Sequence, residues 1–250
     1  MKKLILIIAF SGFTLFGMAQ VSDSTTFRPR NVVKFLPLNL QFNSVAFEYE
    51  RMINFKNSLT LEIGLPSQKS IIGKYGINSN SDLKSAEFGT TTIMAAYRHY
   101  TGKRKLPKGF YIAPYLKYQQ LTGRAGITGV NDQSIPYAGN IDFKLNTINL
   151  GCQLGVQVLI AKRVSIDLYF LGLEGGYLSG NITTTPSLTG QSQAVALGVL
   201  NDVISQNISK LPSFAKNKIS VTETTTQVIV KADNIPYPWF RGGISIGFAF

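Results

Sequence analysis

Cysteine and histidine are nearly missing from this chain: Cys152 and His99 are the only ones in 250 residues. One thiol cannot form an intramolecular disulfide, and Cys152, with Leu150 and Leu154 beside it in an alternating run, reads as a packing residue. One imidazole excludes metal sites built on several. Charge is sparse as well, 15% of residues. Acidic side chains are the scarcer sign, 13 against 25 Lys and Arg, which leaves a net charge of +12. Those basic residues are scattered and the aromatics sit in strand-like runs, so nucleic acid is not an expected partner; an anionic membrane surface is. Beyond residue 20 there is no run of 18 apolar residues, so nothing reads as a membrane-spanning helix. No shift in composition marks a domain boundary.

The first twenty residues differ from the rest. Lys2 and Lys3 form a charged start, Leu4 to Phe16 an apolar stretch, and Gly17-Met18-Ala19 places small residues where a signal peptidase inspects them. The expected organisation is a cleaved leader over 1–19, exported through the Sec route, followed by a single domain over 20–250 with no cofactor and no metal.

Strict alternation dominates the remainder of the chain. In Thr147-Ile148-Asn149-Leu150-Gly151-Cys152-Gln153-Leu154-Gly155-Val156-Gln157-Val158 every even position is apolar and every odd one polar or Gly. A period of two over this length suits the roughly 9–11 residues of a tilted membrane strand better than a globular strand of about 5–6. Turn signals and period predict strands at 31–40, 44–53, 58–65, 88–100, 110–122, 143–160, 164–178 and 237–250. The predicted fold class is all-β, a closed antiparallel transmembrane barrel of eight strands. Short connectors (54–57, 101–109, 161–163) alternate with long ones (66–87, 123–142, 179–236), except at Gln41-Phe42-Asn43. Helical spacing of Val195, Leu197, Leu200, Ile204, Ile208 and Leu211, closed by Pro212, predicts an amphipathic helix over 192–212 in the last long loop. The Thr- and Val-rich run Lys218 to Lys231 predicts a hairpin strand; if it entered the wall with a partner the count would be ten. Pro37 and Pro114 fall inside predicted strands and call for bulges.

Period also sorts side chains by face. With Val45, Phe47 and Tyr49 outside, Glu48 and Glu50 point inward. With Leu59, Leu61 and Ile63 outside, Glu62 does. Ile93, Ala95 and Tyr97 outside put Arg98 within, and Lys117 and Asp167 follow by the same parity. Both signs then share a narrow lumen, where unpaired charge is costly and paired charge ties the wall together. A barrel of eight strands is just wide enough for its side chains to fill, so a plugged, ion-paired interior is expected rather than a channel.

The segment Pro238-Trp239-Phe240-Arg241-Gly242-Gly243-Ile244-Ser245-Ile246-Gly247-Phe248-Ala249-Phe250 resembles the last strand of bacterial outer-membrane β-barrels, and the chain as a pattern is similar to the small OmpA, OmpX and OmpW type of barrel. The Ala19-Gln20 junction adds a looser likeness to the small barrels of Bacteroidota. The resemblance implies that Trp239, Phe240, Phe248 and Phe250 act as the C-terminal assembly signal read by the barrel assembly machinery. It also implies a place in the cell outer membrane, with membrane lipids, lipopolysaccharide and an envelope protein as partners. Barrel enzymes that modify lipid A use a His, a Ser and an acid at the outer leaflet. Here His99-Tyr100-Thr101 lacks that arrangement, and parity places His99 at the periplasmic rim beside Tyr97 and Tyr100, in an aromatic belt. Arg28, Arg30, Lys56, Lys103, Arg104, Lys105, Lys108, Lys162 and Arg163 share that rim. Gly123-Arg124-Ala125-Gly126-Ile127-Thr128-Gly129 has the glycines of a phosphate loop but not its Lys-Ser/Thr, and reads as an outer loop. The expected role is non-enzymatic: structural, adhesive, or a subunit of an envelope complex. A narrow solute channel and a lipid A-modifying enzyme are the alternatives.

Overall fold

The computed structural model describes residues 29–67, 69–70, 83–102, 106–130, 136–187 and 191–250. The expected leader, Arg28 and Lys103 to Lys105 of the basic rim, and most of the connector after β3 lie outside the described residues. In chain order the elements are β1 (Asn31–Leu36), a 3-10 turn (Pro37–Phe42), β2 (Ser44–Met52), β3 (Asn57–Pro66), the two-residue β4 (Lys69–Ser70), β5 (Leu83–Tyr100), β6 (Gly109–Val130), β7 (Pro136–Ile160) and β8 (Val164–Pro186). Helices α1 (Gln191–Ser209) and α2 (Ser213–Lys216) follow, then β9 (Ile219–Glu223), β10 (Val228–Pro236) and β11 (Trp239–Ala249).

Eight of these strands form a closed antiparallel ring, β11-β1-β2-β3-β5-β6-β7-β8, with β11 pairing back onto β8. The seam joins the two ends of the chain: Val32 faces Ala249 and Phe35 faces Ile246, and the amide of Phe250 donates to Asn31 O. Closure leaves the ring no free edge. Alternation orients it. Phe47, Leu61, Ile93, Leu116, Leu150 and Leu168 are exposed on the outside, whereas Glu48, Glu62, Asn149, Gln153 and Asp167 are buried within.

The two prolines resolve differently from the bulges expected. Pro37 ends β1 and opens the 3-10 turn, where its missing N–H has no partner to lose; Asn43 closes the turn in the left-handed region that Asn tolerates. The predicted strand 31–40 therefore stops at Leu36. Pro114 stays in register with Cys152 of β7, but β5–β6 pairing lapses opposite Ala113 and Pro114 and resumes in the same register at His99–Ile112. A lost donor is tolerated there without an inserted residue. The bulge lies elsewhere, at Phe170-Leu171 of β8, where pairing to β7 slips between Leu154 and Gly155.

The tall strands exceed expectation. β2, β3 and β11 have 9, 10 and 11 residues, yet β5 to β8 have 18, 22, 25 and 23. The stretches 123–130, 136–142 and 179–186, read as loops, are strand, so Gly123 to Gly129 belongs to β6 and not to an outer loop. At about 3.3 Å per residue, 25 residues reach roughly 80 Å, and the wall stands far above the ring on one side. The β9–β10 hairpin pairs only with the upper part of β8, Val228 to Pro236 against Thr184 to Tyr177, while β11 takes the lower part, Val164 to Glu174. The hairpin thus extends the tall sheet and the ring count stays at eight, not ten.

Along these strands the apolar face changes sides. The outer row Ile93–Tyr118–Ile148–Tyr177 is followed one step higher by Thr91–Gln120–Asn146–Ser179. There Gln120 Nε2 and Tyr118 Oη each donate to Asn146 Oδ1. Above this line the outer face carries Glu87, Arg124, Asp142, Lys144 and Asn181, and the inner face carries Phe88, Leu121, Leu145, Phe143 and Ile182. Helix α1 packs on β7, β8, β9 and β10, burying Ala196, Leu197, Val228 and Thr184. The helix matches the predicted position, but Val195 and Leu211 are exposed instead of packed. Pro212 caps α2 rather than simply ending α1.

Candidate functional site: the filled lumen

All six charged residues assigned inward by parity are buried: Glu48, Glu50, Glu62, Arg98, Lys117 and Asp167. They do not form one network but divide among three groups, each completed by a residue that parity left out.

The largest group lies toward the short-turn end. Lys34 Nζ contacts Glu48 Oε1 at 2.9 Å, Glu50 Oε2 at 2.8 Å and Asp167 Oδ2 at 3.0 Å, and donates to Gln157 Oε1 at 2.7 Å. Arg98 reaches Asp167 Oδ2 through Nη1 at 2.7 Å and both oxygens of Glu48 through Nη2 at 2.8 Å. Its guanidinium carbon lies 4.6 Å from the centre of the Tyr111 ring. Two cations thus serve three carboxylates, and neutral donors fill the remaining lone pairs. Tyr100 and Ser58 donate to Glu50 Oε1, both at 2.6 Å, and Tyr111 donates to Asp167 Oδ1 at 2.8 Å. Burying so many ions is tolerable only when most of the hydrogen-bonding capacity is met; in this group Arg98 Nε is buried without a partner. Below, Leu106 and Pro107 lie against the lower end of the ring: Gln157 Nε2 donates to Pro107 O at 2.8 Å, and Leu106 packs on Val32, Leu159 and Ala249.

Higher up, Glu62 pairs with Arg241 Nη2 and accepts from Asn39 of the 3-10 turn at 3.3 Å. Arg241 lies over the Tyr169 ring, 4.8 Å from its centre, and reaches Met94 Sδ. The third group pairs Lys117 with Glu174, which also accepts from Tyr115 Oη at 3.0 Å.

Tyrosine placement follows from glycine. Tyr111, Tyr115 and Tyr169 are register partners of Gly155, Gly151 and Gly243, and each ring lies where a Cβ on its glycine would collide with it. Aromatic rings cover the exposed backbone of the glycines and are thereby aimed into the lumen. The glycines that alternate with polar residues in β7 are thus cradles for rings across the strand.

Lys34, Arg241 and Glu174 were missed for separate reasons. Lys34 was readable, since Val33 and Phe35 flank it. Arg241 has inward parity but stood inside the presumed assembly signal. Glu174 was hidden by the bulge at Phe170-Leu171, which reverses the parity counted from Asp167. Trp239 pairs with inward Glu174 and stacks on Tyr237 at 5.5 Å, on the inner side of the mouth, whereas Phe240 and Phe250 are exposed outside. Tyr100 is buried in the lumen and not in an outer belt. His99 is on the outer face, where Nδ1 hydrogen-bonds with Asn57 Oδ1 at 2.7 Å. Cys152 is exposed on the outside wall rather than packed. No protein-family model matches the sequence, and no curated protein matches it. Fold and lumen together define the class: a closed antiparallel barrel of eight strands with an ion-paired interior and a tall sheet-and-helix cap on one rim.

Proposed function

We propose that this protein is an integral outer-membrane barrel that conducts nothing and catalyses nothing, and whose work is done by the cap it holds outside the cell, as an adhesive or structural subunit of an envelope assembly. One observation carries the reading: within single strands the apolar side chains face outward up to the Tyr118–Tyr177 row and inward above it. A wall solvated by water over its full height would keep one apolar face, whereas a strand that leaves hydrocarbon for water must exchange faces. Strand lengths of 9 to 11 in β2, β3 and β11 match those needed to cross a bilayer at a tilt. The leader-like start of the chain and the aromatic residues near Phe250 support the same location.

Cys152 is a built-in reporter for this reading. On the outer wall two rows below the expected boundary, its thiol should be shielded from a membrane-impermeant maleimide in proteoliposomes and become reactive on denaturation. Labelling of the intact reconstituted protein would refute a membrane-embedded wall. In planar bilayers the purified protein is expected to show no ion conductance, because Lys34, Arg98, Tyr100, Tyr111 and Gln157 fill the lower lumen. Mild-detergent purification from native membranes, expected to bring down a stable partner, tests the assembly role.

A further inference from the structure

The outer face of the tall sheet has a distinctive charge arrangement just above the apolar boundary. Two register rows separate the Tyr118–Tyr177 girdle from the mixed charges higher up. The first is Thr91–Gln120–Asn146–Ser179. The second is Gly89–Thr122–Lys144–Asn181, continued on β10 by Lys231. These paired positions contain two cations and no anion. Lys144, Asn181 and Lys231 are exposed, and neither lysine makes an ion pair among the described residues. The nearest register-paired acids are Glu87 and Asp142 one row higher, where Asp142 already holds Arg124 at 2.7 Å. Asp233 lies in the β10 irregularity, its amide donating to the carbonyl of Lys218, just before β9.

We propose that Lys144 and Lys231, with the Asn181 amide between them, form a binding site for the phosphate of an anionic glycolipid in the outer leaflet. The proposal rests on the membrane reading above. Lys144 and Lys231 flank one intervening strand, so their Cα atoms are about 10 Å apart, and their flexible stems can converge on one phosphate or bridge two. Depth agrees with this assignment. Thr122 and Asn181 stand four residues above Tyr118 and Tyr177, roughly 10 Å along the normal for a tilted strand. The head-group layer is about 5–7 Å thick, so lysine stems bending back toward the bilayer bring both ammonium groups into it. Lys144, Thr122, Asn181 and Thr183, with Glu87 and the Arg124–Asp142 pair on the upper side, line a polar cleft of about 490 Å³, room for the sugar that would carry the phosphate. An uncharged head group would leave both cations unanswered.

The test uses the full chain in detergent, with bis-phosphorylated lipid A and its dephosphorylated form as probes and native mass spectrometry as the readout. Wild type is expected to retain the phosphorylated lipid and not the dephosphorylated one. The Lys144→Gln/Lys231→Gln double variant should weaken retention by roughly 25-fold, at about fivefold per lysine near an anionic surface. Lys56→Gln, in a turn at the opposite rim, should change nothing. Equal retention of the two lipids, or undiminished retention by the double variant, overturns the proposal. Heat-modifiable migration in gels checks that each variant is folded. If Cys152 is shielded in proteoliposomes but retention ignores phosphate, only this site fails; if Cys152 is labelled there, the membrane reading fails and takes the site with it.

Discussion

Arg98 is placed so that its removal cannot be absorbed by its neighbours. It and Lys34 are the two cations for Glu48, Glu50 and Asp167, all at most 3% exposed. Arg98→Met strands three buried carboxylates against a single ammonium, and the loss of one partner from such a group typically costs about 3–5 kcal/mol. Equilibrium urea unfolding in detergent should show that loss. Arg124→Ala, which breaks a pair exposed by 85% and 51%, should stay within about 1 kcal/mol. Equal effects from the two variants would contradict the distinction between a structural lumen and a solvated surface. Gly155→Val tests the ring cradles. Its side chain would displace Tyr111, and with it the hydroxyl that donates to Asp167. The expected cost is about 1–3 kcal/mol, with a change in near-ultraviolet circular dichroism.

Helix α1 covers an apolar face that exists only because the tall strands exchange faces. Leu197→Asp places a charge where Leu197 is 3% exposed, on a helix that packs against β7, β8, β9 and β10. The helix should detach, raising hydrophobic dye binding and protease cleavage within 191–209, while the ring keeps its heat-modifiable migration. Loss of both together would mean that cap and barrel are one cooperative unit. The elements also show what local pattern can carry. Period two gave the faces of β2, β3 and β7 and six inward charges, because a pleated strand has only two sides. It did not give the upper halves of β6, β7 and β8, because glycines such as Gly123 and Gly126 look like loop residues and because the face exchange breaks one long alternation into two opposed ones. Nor did it show the bulge at Phe170-Leu171 or the contact at the lower end of the ring, where the Pro107 carbonyl meets a glutamine 50 residues away.

The molecule as a body is lopsided: a short wall of β11, β1, β2 and β3, and a high one of β5 to β8. If the tall side projects into water, its outer face should be open to modification when the barrel is embedded. Lys144→Cys is then expected to react with the same impermeant maleimide that Cys152 resists, in a Cys152→Ser background. Protection of both positions would place the tall sheet in hydrocarbon and remove the boundary at Tyr118 and Tyr177.

The seam between β1 and β11 has a consequence for how the chain reaches its final form. Successive hairpins such as β6–β7 join residues near in sequence, but Val32 must find Ala249 across nearly the full length of the polypeptide. Chain entropy disfavours that encounter until everything between has narrowed the search. Zipping of this one suture is therefore the final event, and pulsed deuterium exchange during refolding should see amides of β1 protected after those of β6 and β7.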